Sequence, residues 1–263
     1  RWRRPSAACC STAPAPRRRS TSTAASAPFK RDPLDIPQLS TAQLSALLER
    51  HAPQFQVEQD TNADQIGAAH WQDNRHMIDG AAPVVYAYPS YVRTGDEVLL
   101  QLNYTAWFAA RPKTGRFDWY GGELDGLVWR VTLKADGSVL FWDSIHPCGC
   151  YHSLHLPQDS TLQIPESRDE PLLVFHSALP SRQTRPVLLV QAHTHYLQKV
   201  LAQPVASANA TPSQTQENQT QQSRAQKTDA VKTYDLEAYD RLRSLPLESA
   251  GAVRHRNWFD RDG

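Results

Sequence analysis

Between positions 83 and 197 the chain repeats one pattern, short runs of β-branched and aromatic residues separated by turn-forming ones, which restricts it to a β-rich fold. The runs are 84–88, 97–108, 127–133, 139–145, 172–176 and 187–196, each of strand length and bounded by turn residues. The sharpest local unit joins 127–133 to 139–145 through Lys134-Ala135-Asp136-Gly137-Ser138, where Asp136-Gly137 supplies the positive φ of a tight hairpin. Helical periodicity occurs only toward the two ends. Ser40 is placed to cap a helix, Gln43 stands at the reciprocal capping position, and Leu44, Leu47 and Leu48 share a face that ends near His51, before Pro53. Residues 234–247 carry Leu and Tyr at helix-like spacing. The expected fold is α+β and β-rich, a single antiparallel-sheet domain with few short helices.

Four segments follow from composition: a basic arm or leader remnant at 1–32, the β-rich domain at 33–200, a disordered insert at 201–232, and a tail at 233–263 that packs on the domain. Residues 207–230 contain six glutamines and no aromatic, Leu, Ile, Val or Met, too little apolar surface to offset the entropy of ordering. Eight of the 28 basic residues and none of the 27 acidic ones fall in positions 1–31, so the body is mildly acidic. Positive charge confined to an Ala/Ser/Thr/Pro-rich arm is not the basic, aromatic-interleaved face that nucleic acid requires, and no nucleic-acid partner is expected. The arm suits an organelle transit peptide, the end of a lipoprotein leader at Ala7-Ala8-Cys9-Cys10 with a lipid anchor, or a plain disordered arm. The longest apolar runs are short ones such as 171–175 and 187–190, against the roughly 18 residues a transmembrane helix needs. No transmembrane segment is expected. Neither GxGxxG nor GxxxxGK[ST] occurs, which removes the glycine-rich loops of nucleotide chemistry.

The segment Asp143-Ser144-Ile145-His146-Pro147-Cys148-Gly149-Cys150-Tyr151-His152 places four metal-ligand side chains at alternate positions. On a regular strand, at about 3.3 Å per residue, His146 and His152 would lie about 20 Å apart. Pro147 and Gly149 break that regularity, and a turn at Gly149 can bring Cys148 and Cys150 onto one centre, completed by His146 or His152. His193 and His195, a second alternating pair, are the expected distant ligands, with His176 a lesser one. Thiolate and imidazole together suit zinc or another transition metal, and Asp143 is the expected carboxylate holding a ligand histidine in its tautomer. Two further readings stay open. Cys148 and Cys150 can form a local disulfide or pair with Cys9 or Cys10, or one of them, Cys148 for instance, can act as a thiolate nucleophile activated by a neighbouring histidine.

A second cluster precedes it. Four of the seven tryptophans lie between 107 and 142, and Trp119-Tyr120 stands close to Glu123 and Asp125. Aromatic rings beside two carboxylates suit a cleft for envelope polysaccharide, with Glu123 and Asp125 as acid and base. The competing reading makes Gly121-Gly122 and Asp125-Gly126 turns and the tryptophans core.

Tyr104, Trp107, Phe108, Arg111 and Pro112, then 122–133 around Leu124-Asp125-Gly126-Leu127, then 143–152, with similar stretches at Thr194-His195-Tyr196-Leu197 and Leu242-Arg243-Ser244-Leu245-Pro246, resemble an uncharacterised bacterial family of lipoprotein-like envelope proteins. The resemblance spans roughly 40–200 and parts of the tail. It implies a cell-envelope location, periplasmic or anchored to the outer membrane, and no established reaction. The Gln/Ser/Thr-rich insert and a shortened stretch between Pro246 and Ala250 depart from that pattern.

Overall fold

The computed structural model describes residues 29–113, 115–164, 172–179, 181–182, 184–204, 234–249 and 252–259. Residues 1–28, which hold most of the arm, its leader readings and Cys9 and Cys10, lie outside the described residues, as does most of the glutamine-rich insert; the end of the arm is described and Lys30–Arg31 form a short strand there. In chain order the first half forms β1 (Lys30–Arg31), β2 (Pro37–Gln38), helix α1 (Thr41–His51), β3 (Gln54–Val57), β4 (Ala68–Gln72), β5 (Arg75–Asp79), β6 (Val84–Thr94) and β7 (Glu97–Phe108). The second half forms β8 (Asp125–Leu133), β9 (Val139–Ile145), β10 (Ser153–Leu156), β11 (Leu173–His176), β12 (Thr184–Val190), β13 (Leu197–Pro204), β14 (Asp235–Ala238), β15 (Leu245–Ser249) and β16 (Ala252–Arg256). No helix among the described residues is long and apolar enough to cross a membrane.

The β-rich expectation holds, but the single antiparallel sheet does not. Among the described residues the strands form four sheets: a seven-stranded one ordered β11-β10-β9-β8-β7-β6-β14, a three-stranded β13-β12-β3, a four-stranded β16-β15-β4-β5, and the pair β1-β2. The meander β6 to β10 is antiparallel, whereas β11 on β10, β14 on β6, β3 on β12 and β15 on β4 pair in parallel. Each parallel pair joins strands distant in the chain, because parallel neighbours cannot be linked by a tight turn.

The division into layers follows from β7, whose residues are buried on both faces over most of its length. On one face Leu102, Tyr104, Ala106 and Phe108 of β7 line up with Val131, Trp129, Leu127 and Asp125 of β8. This face packs against α1 and the three-stranded sheet, through Leu44, Leu47, Phe55, Leu188 and Val190. The opposite face presents Val84, Tyr86 and Trp107 to Trp71, Ile78, Leu242, Leu245 and Trp258 of the four-stranded sheet and its neighbours. Tyr104 donates its hydroxyl to the Leu48 carbonyl at 2.7 Å, fastening α1 to the sheet.

Local sequence signals account for several boundaries. Ser40 and Gln43 form the expected reciprocal cap of α1, and the β8–β9 hairpin turns through Gly137 at φ 74, with Asp136 Oδ1 accepting from the Ser138 amide at 3.0 Å. The helical reading of 234–247 is overturned: β14 is followed by a 3-10 turn, Tyr239–Arg243, and then β15. Both strands pair with sheet edges, and Leu242 is buried with Trp258, so tertiary burial overrides local spacing.

Replacing Tyr104 by Phe should lower stability by about 1 kcal/mol, the net worth of one buried hydrogen bond. Urea unfolding checks this, with an unchanged midpoint as the contrary result.

Candidate functional site

At one end of the molecule the seven-stranded sheet meets the three-stranded one, and polar side chains fill the seam. Asp125 opens β8 opposite Phe108, rather than sitting in a turn, on the face that looks toward the smaller sheet. His146 follows the last residue of β9 and reaches the same face. Its Nδ1 lies 3.3 Å from Asp125 Oδ1. From the small sheet, the loop between β12 and β13 delivers His195, whose Nδ1 lies 2.8 Å from Asp125 Oδ2. One carboxylate thus holds two imidazoles. His195 is fully buried and its ring stacks on Phe108, centroids 3.9 Å apart and planes 2° from parallel.

The network continues beyond His195. Its Nε2 lies 3.3 Å from Asp64 Oδ1. Asp64 belongs to the 3-10 turn Asn62–Asp64 after β3, and it accepts the His193 amide at 2.6 Å and the Thr61 and Asp60 amides at 2.8 and 3.0 Å. Burial raises the affinity of Asp64 for its proton, but these amides, with the charge of His195, outweigh it and leave the pKa below the ordinary carboxylate value. Burial likewise works to raise Asp125, and the hydrogen bonds from His146 and His195, with the attraction of His146, reverse this and pull it to about 2. Both acids are therefore carboxylates near neutrality. The open end of the chain is His146 Nε2, which is buried and has no hydrogen-bond partner; His195 Nε2 likewise makes no hydrogen bond.

Aromatic rings and one arginine cover His146. Tyr151 and Tyr196 stand edge-on to its ring at centroid distances of 5.4 and 5.7 Å and 4.2 Å from each other. Arg111 is only 8 % exposed, and it donates from Nη2 to the Tyr196 hydroxyl at 2.8 Å. Its guanidinium carbon lies 5.5, 5.9 and 4.9 Å from the ring centres of Tyr120, Tyr151 and Tyr196. The hydrogen bond to Tyr196 pushes the Tyr151 hydroxyl up to about 12. Among the described residues no carboxylate is hydrogen-bonded to Arg111; the acid whose charge reaches it is Asp125, and both oxygens of Asp125 are engaged by histidines. Burial by itself works to lower the Arg111 pKa, but the hydrogen bond to Tyr196, with the charges of Tyr196 and Asp125, outweighs it and raises the pKa, so the guanidinium is a fixed cation beside His146.

The backbone is bent to make the cluster. Tyr151, His193 and His195 all have positive φ, at 57, 64 and 52°, a left-handed conformation that costs a non-glycine residue about 1 kcal/mol or more and tends to gather at working sites. Gly126 is needed for a different reason: a Cβ there would stand 2.9 Å from Pro147 and 3.0 Å from Trp107. The missing side chain lets Pro147 close over β8 and sets His146 above Asp125.

The residues expected to share a metal are distributed differently. His146 and His195 meet, through Asp125. His193 turns outward, its Nε2 2.7 Å from Asp60 Oδ2. His152 lies on the opposite face of the sheet, where Asp143 Oδ2 accepts from Arg130 Nε at 2.7 Å and faces His152 Nε2 at 3.1 Å. The divergence arises because residues 146 and 152 flank a turn whose two strands present them to opposite faces. Cys148 is exposed and Cys150 half-buried, both free thiols; contact with Cys148 raises the Cys150 pKa. His176 is exposed on edge strand β11. Glu123 is exposed, whereas Asp125 is engaged by His146 and His195. Among the described residues no group of three or more His, Cys, Asp or Glu side chains is arranged to hold a metal ion. Sequence reasoning singled out Asp125, His146 and His195 but gave Asp64, Arg111, Tyr151 and Tyr196 no role, although the last three stand inside or beside the motifs quoted above.

No protein-family model, no curated protein and no solved structure matches this chain, and the chemistry of the cluster is what informs its use.

Asp125 holds its proton less tightly when folded than its ordinary 3.8. Its contribution to stability is therefore full above about pH 4 and is lost as pH falls through about 2, a span worth about 2 kcal/mol at 1.36 kcal/mol per unit. Asp125→Asn should be less stable than the wild type at pH 6, with the gap narrowing as pH falls below 4. A gap that stays constant in urea titrations across that range contradicts the assignment. Gly126→Ala should displace Pro147 and disturb the His146 ring signals in an NMR spectrum, and an unaltered spectrum argues against the packing role.

Proposed function

We propose that the protein is a cell-envelope protein that binds an anionic ligand at the sheet seam and acts on it by proton transfer, His146 being the acid–base group. The observation that carries this reading is the single Asp125 carboxylate bonded to the Nδ1 atoms of two buried histidines, with His146 Nε2 left unpartnered beneath Tyr151 and Tyr196. A carboxylate on Nδ1 fixes the tautomer that leaves Nε2 as the proton acceptor and stabilises the imidazolium that forms. In this reading His195 and Asp64 hold Asp125 in place, and Arg111 supplies the charge that receives the ligand's anion. The envelope location rests on the sequence resemblance.

A panel of chromogenic acetate, phosphate and glycoside substrates tests the reaction. On whichever is turned over, His146→Gln should lower kcat by about 100-fold or more, the usual worth of a general base, while Arg111→Gln should chiefly raise KM. Acetate and phosphate should also shift the His146 ring resonances in the wild type and not in Arg111→Gln. No turnover together with no such shift removes the reading.

A transition-metal reading keeps one specific support, His146 Nε2, buried without a hydrogen-bond partner, while His195 Nε2 faces Asp64 Oδ1 at 3.3 Å. It predicts zinc or copper retained after purification and lost in His146→Ala; elemental analysis showing less than about 0.2 ion per chain contradicts it, because a thiolate or imidazole site that folds with its metal holds it tightly.

A further inference from the structure

Beside Arg111 the chain makes an unusual display. The segment from Arg111 to Gly122 is closed by reciprocal backbone hydrogen bonds between those two residues, 2.8 and 3.0 Å, and at its tip Phe117 is 82 % exposed, Trp119 88 % and Tyr120 58 %. The tip is shaped by its own hydrogen bonds: the Asp118 amide donates to the Gly115 carbonyl at 3.2 Å, and Asp118 Oδ1 accepts the Tyr120 amide at 3.0 Å. Tyr120 then meets Tyr151 edge-on, centroids 6.0 Å apart, and Tyr151 is itself 40 % exposed. Tyr120, next to Trp119 in the chain, thus joins the loop tip to the tyrosines that enclose Arg111. Large rings are seldom left in water in a group unless something covers them. The other described tryptophans, Trp71, Trp107, Trp129, Trp142 and Trp258, are at most 6 % exposed, so Trp119 is the exception.

We propose that the ligand of this site is an anionic glycan, a sugar polymer whose rings carry carboxylates, with Phe117, Trp119, Tyr120 and Tyr151 as the stacking platform and Arg111 as the carboxylate receptor. This rests on the anion-handling reading above and names its substrate class. Two features must be satisfied by one occupant: flat aromatic faces that accept an apolar C–H surface, and a guanidinium reachable only at the inner end of the platform. The C–H face of a sugar ring suits the electron-rich faces of tryptophan and tyrosine, and a carboxylate matches the planar donors of arginine. A bilayer headgroup would engage the exposed Lys113 and Arg116 at the tip before a largely buried Arg111. The loop's basic residues are balanced in part by Asp118 and by exposed Glu123, so charge alone does not make this a membrane-binding patch.

The test uses tryptophan fluorescence of the full chain carrying Trp2→Phe, because Trp119 is the exposed tryptophan among the described residues and then dominates the fraction that acrylamide quenches. The probes are polygalacturonate oligomers, neutral dextran oligomers, and vesicles of phosphatidylglycerol and phosphatidylcholine. Polygalacturonate should blue-shift the emission and shield it from quenching, and dextran should bind at least tenfold more weakly, a difference of about 1.4 kcal/mol. Phe117→Ala, which leaves the reporter in place, should weaken polygalacturonate binding about tenfold or more, and Trp119→Ala should do the same by calorimetry. Both side chains lie on the surface, so loss of binding in these variants is not loss of folding. Arg111→Gln should erase the preference for polygalacturonate over dextran. Equal binding of the neutral polymer, binding indifferent to Phe117 and Trp119, or response to vesicles alone overturns the proposal. If acetate shifts the His146 resonances while polygalacturonate is not bound, the acid–base reading stands and only the glycan assignment falls; if neither ligand acts, both fall.

Discussion

Strand β7 is the constraint on which the rest of the structure depends. Its side chains are buried on both faces, so the seven-stranded sheet must be covered twice, and each cover combines strands from before and after the central meander. One cover is α1 with the β13-β12-β3 sheet and the other is the four-stranded sheet with Leu242 and Trp258. Burying a large apolar side chain is worth about 1.5–3 kcal/mol, and Leu102, Tyr104, Ala106 and Phe108 on one face with Trp107 on the other make removal of either cover costly. Two of the parallel pairings, β11 on β10 and β14 on β6, tie returning segments to the edges of the central meander, and the other two, β3 on β12 and β15 on β4, join early and late segments within the covers.

The seam between the large sheet and its smaller cover is where the polar network forms. Asp125 belongs to the large sheet and Asp64 to the small one, and His195 lies between them. The same contacts that close the seam therefore define the protonation of the cluster. The carboxylates that hold the histidines are also the ones whose ionisation stabilises the native state. The left-handed backbone at Tyr151, His193 and His195 is held by this network and by the short loop hydrogen bonds, such as the Gln191 amide to the Tyr196 carbonyl at 3.0 Å.

Two other polar groups within the sheets have a different character. Ser144, Ser153 and His155 form a buried chain of hydrogen bonds at 2.9 and 3.1 Å, and burial pushes His155 down to about 4, so it stays neutral between Trp129 and Phe175. Its Nε2 satisfies the buried Ser153 hydroxyl. Arg130, Asp143 and His152 lie on the face away from the seam, where the arginine neutralises the one buried carboxylate. That arrangement separates His152 from the cysteines' side of the turn and explains why a contiguous His-x-Cys-x-Cys-x-His motif does not gather on one centre.

The amino-acid sequence by itself determined what depends on neighbours in the chain. The cap of α1 at Ser40 and Gln43, the Asp136-Gly137 hairpin, and the runs that became β6, β7, β8, β9 and β12 are legible because turn chemistry and β-branched or aromatic patterning act over a few residues. It also marked Asp125, His146 and His195 as chemically significant, though with different partners. Only the tertiary structure decided the number of sheets, the conversion of 234–247 from apparent helical spacing into strand, 3-10 turn and strand, and the pairing of Asp125 with both histidines. These depend on which faces are buried and on contacts as far apart in the chain as Asp125 with His146 and Trp71 with Leu247, and local propensity carries no information at that range. Arg111 and the tyrosines around it were missed for the same physical reason: an arginine's partners are set by the packing that removes its water, and no spacing rule in the sequence records it.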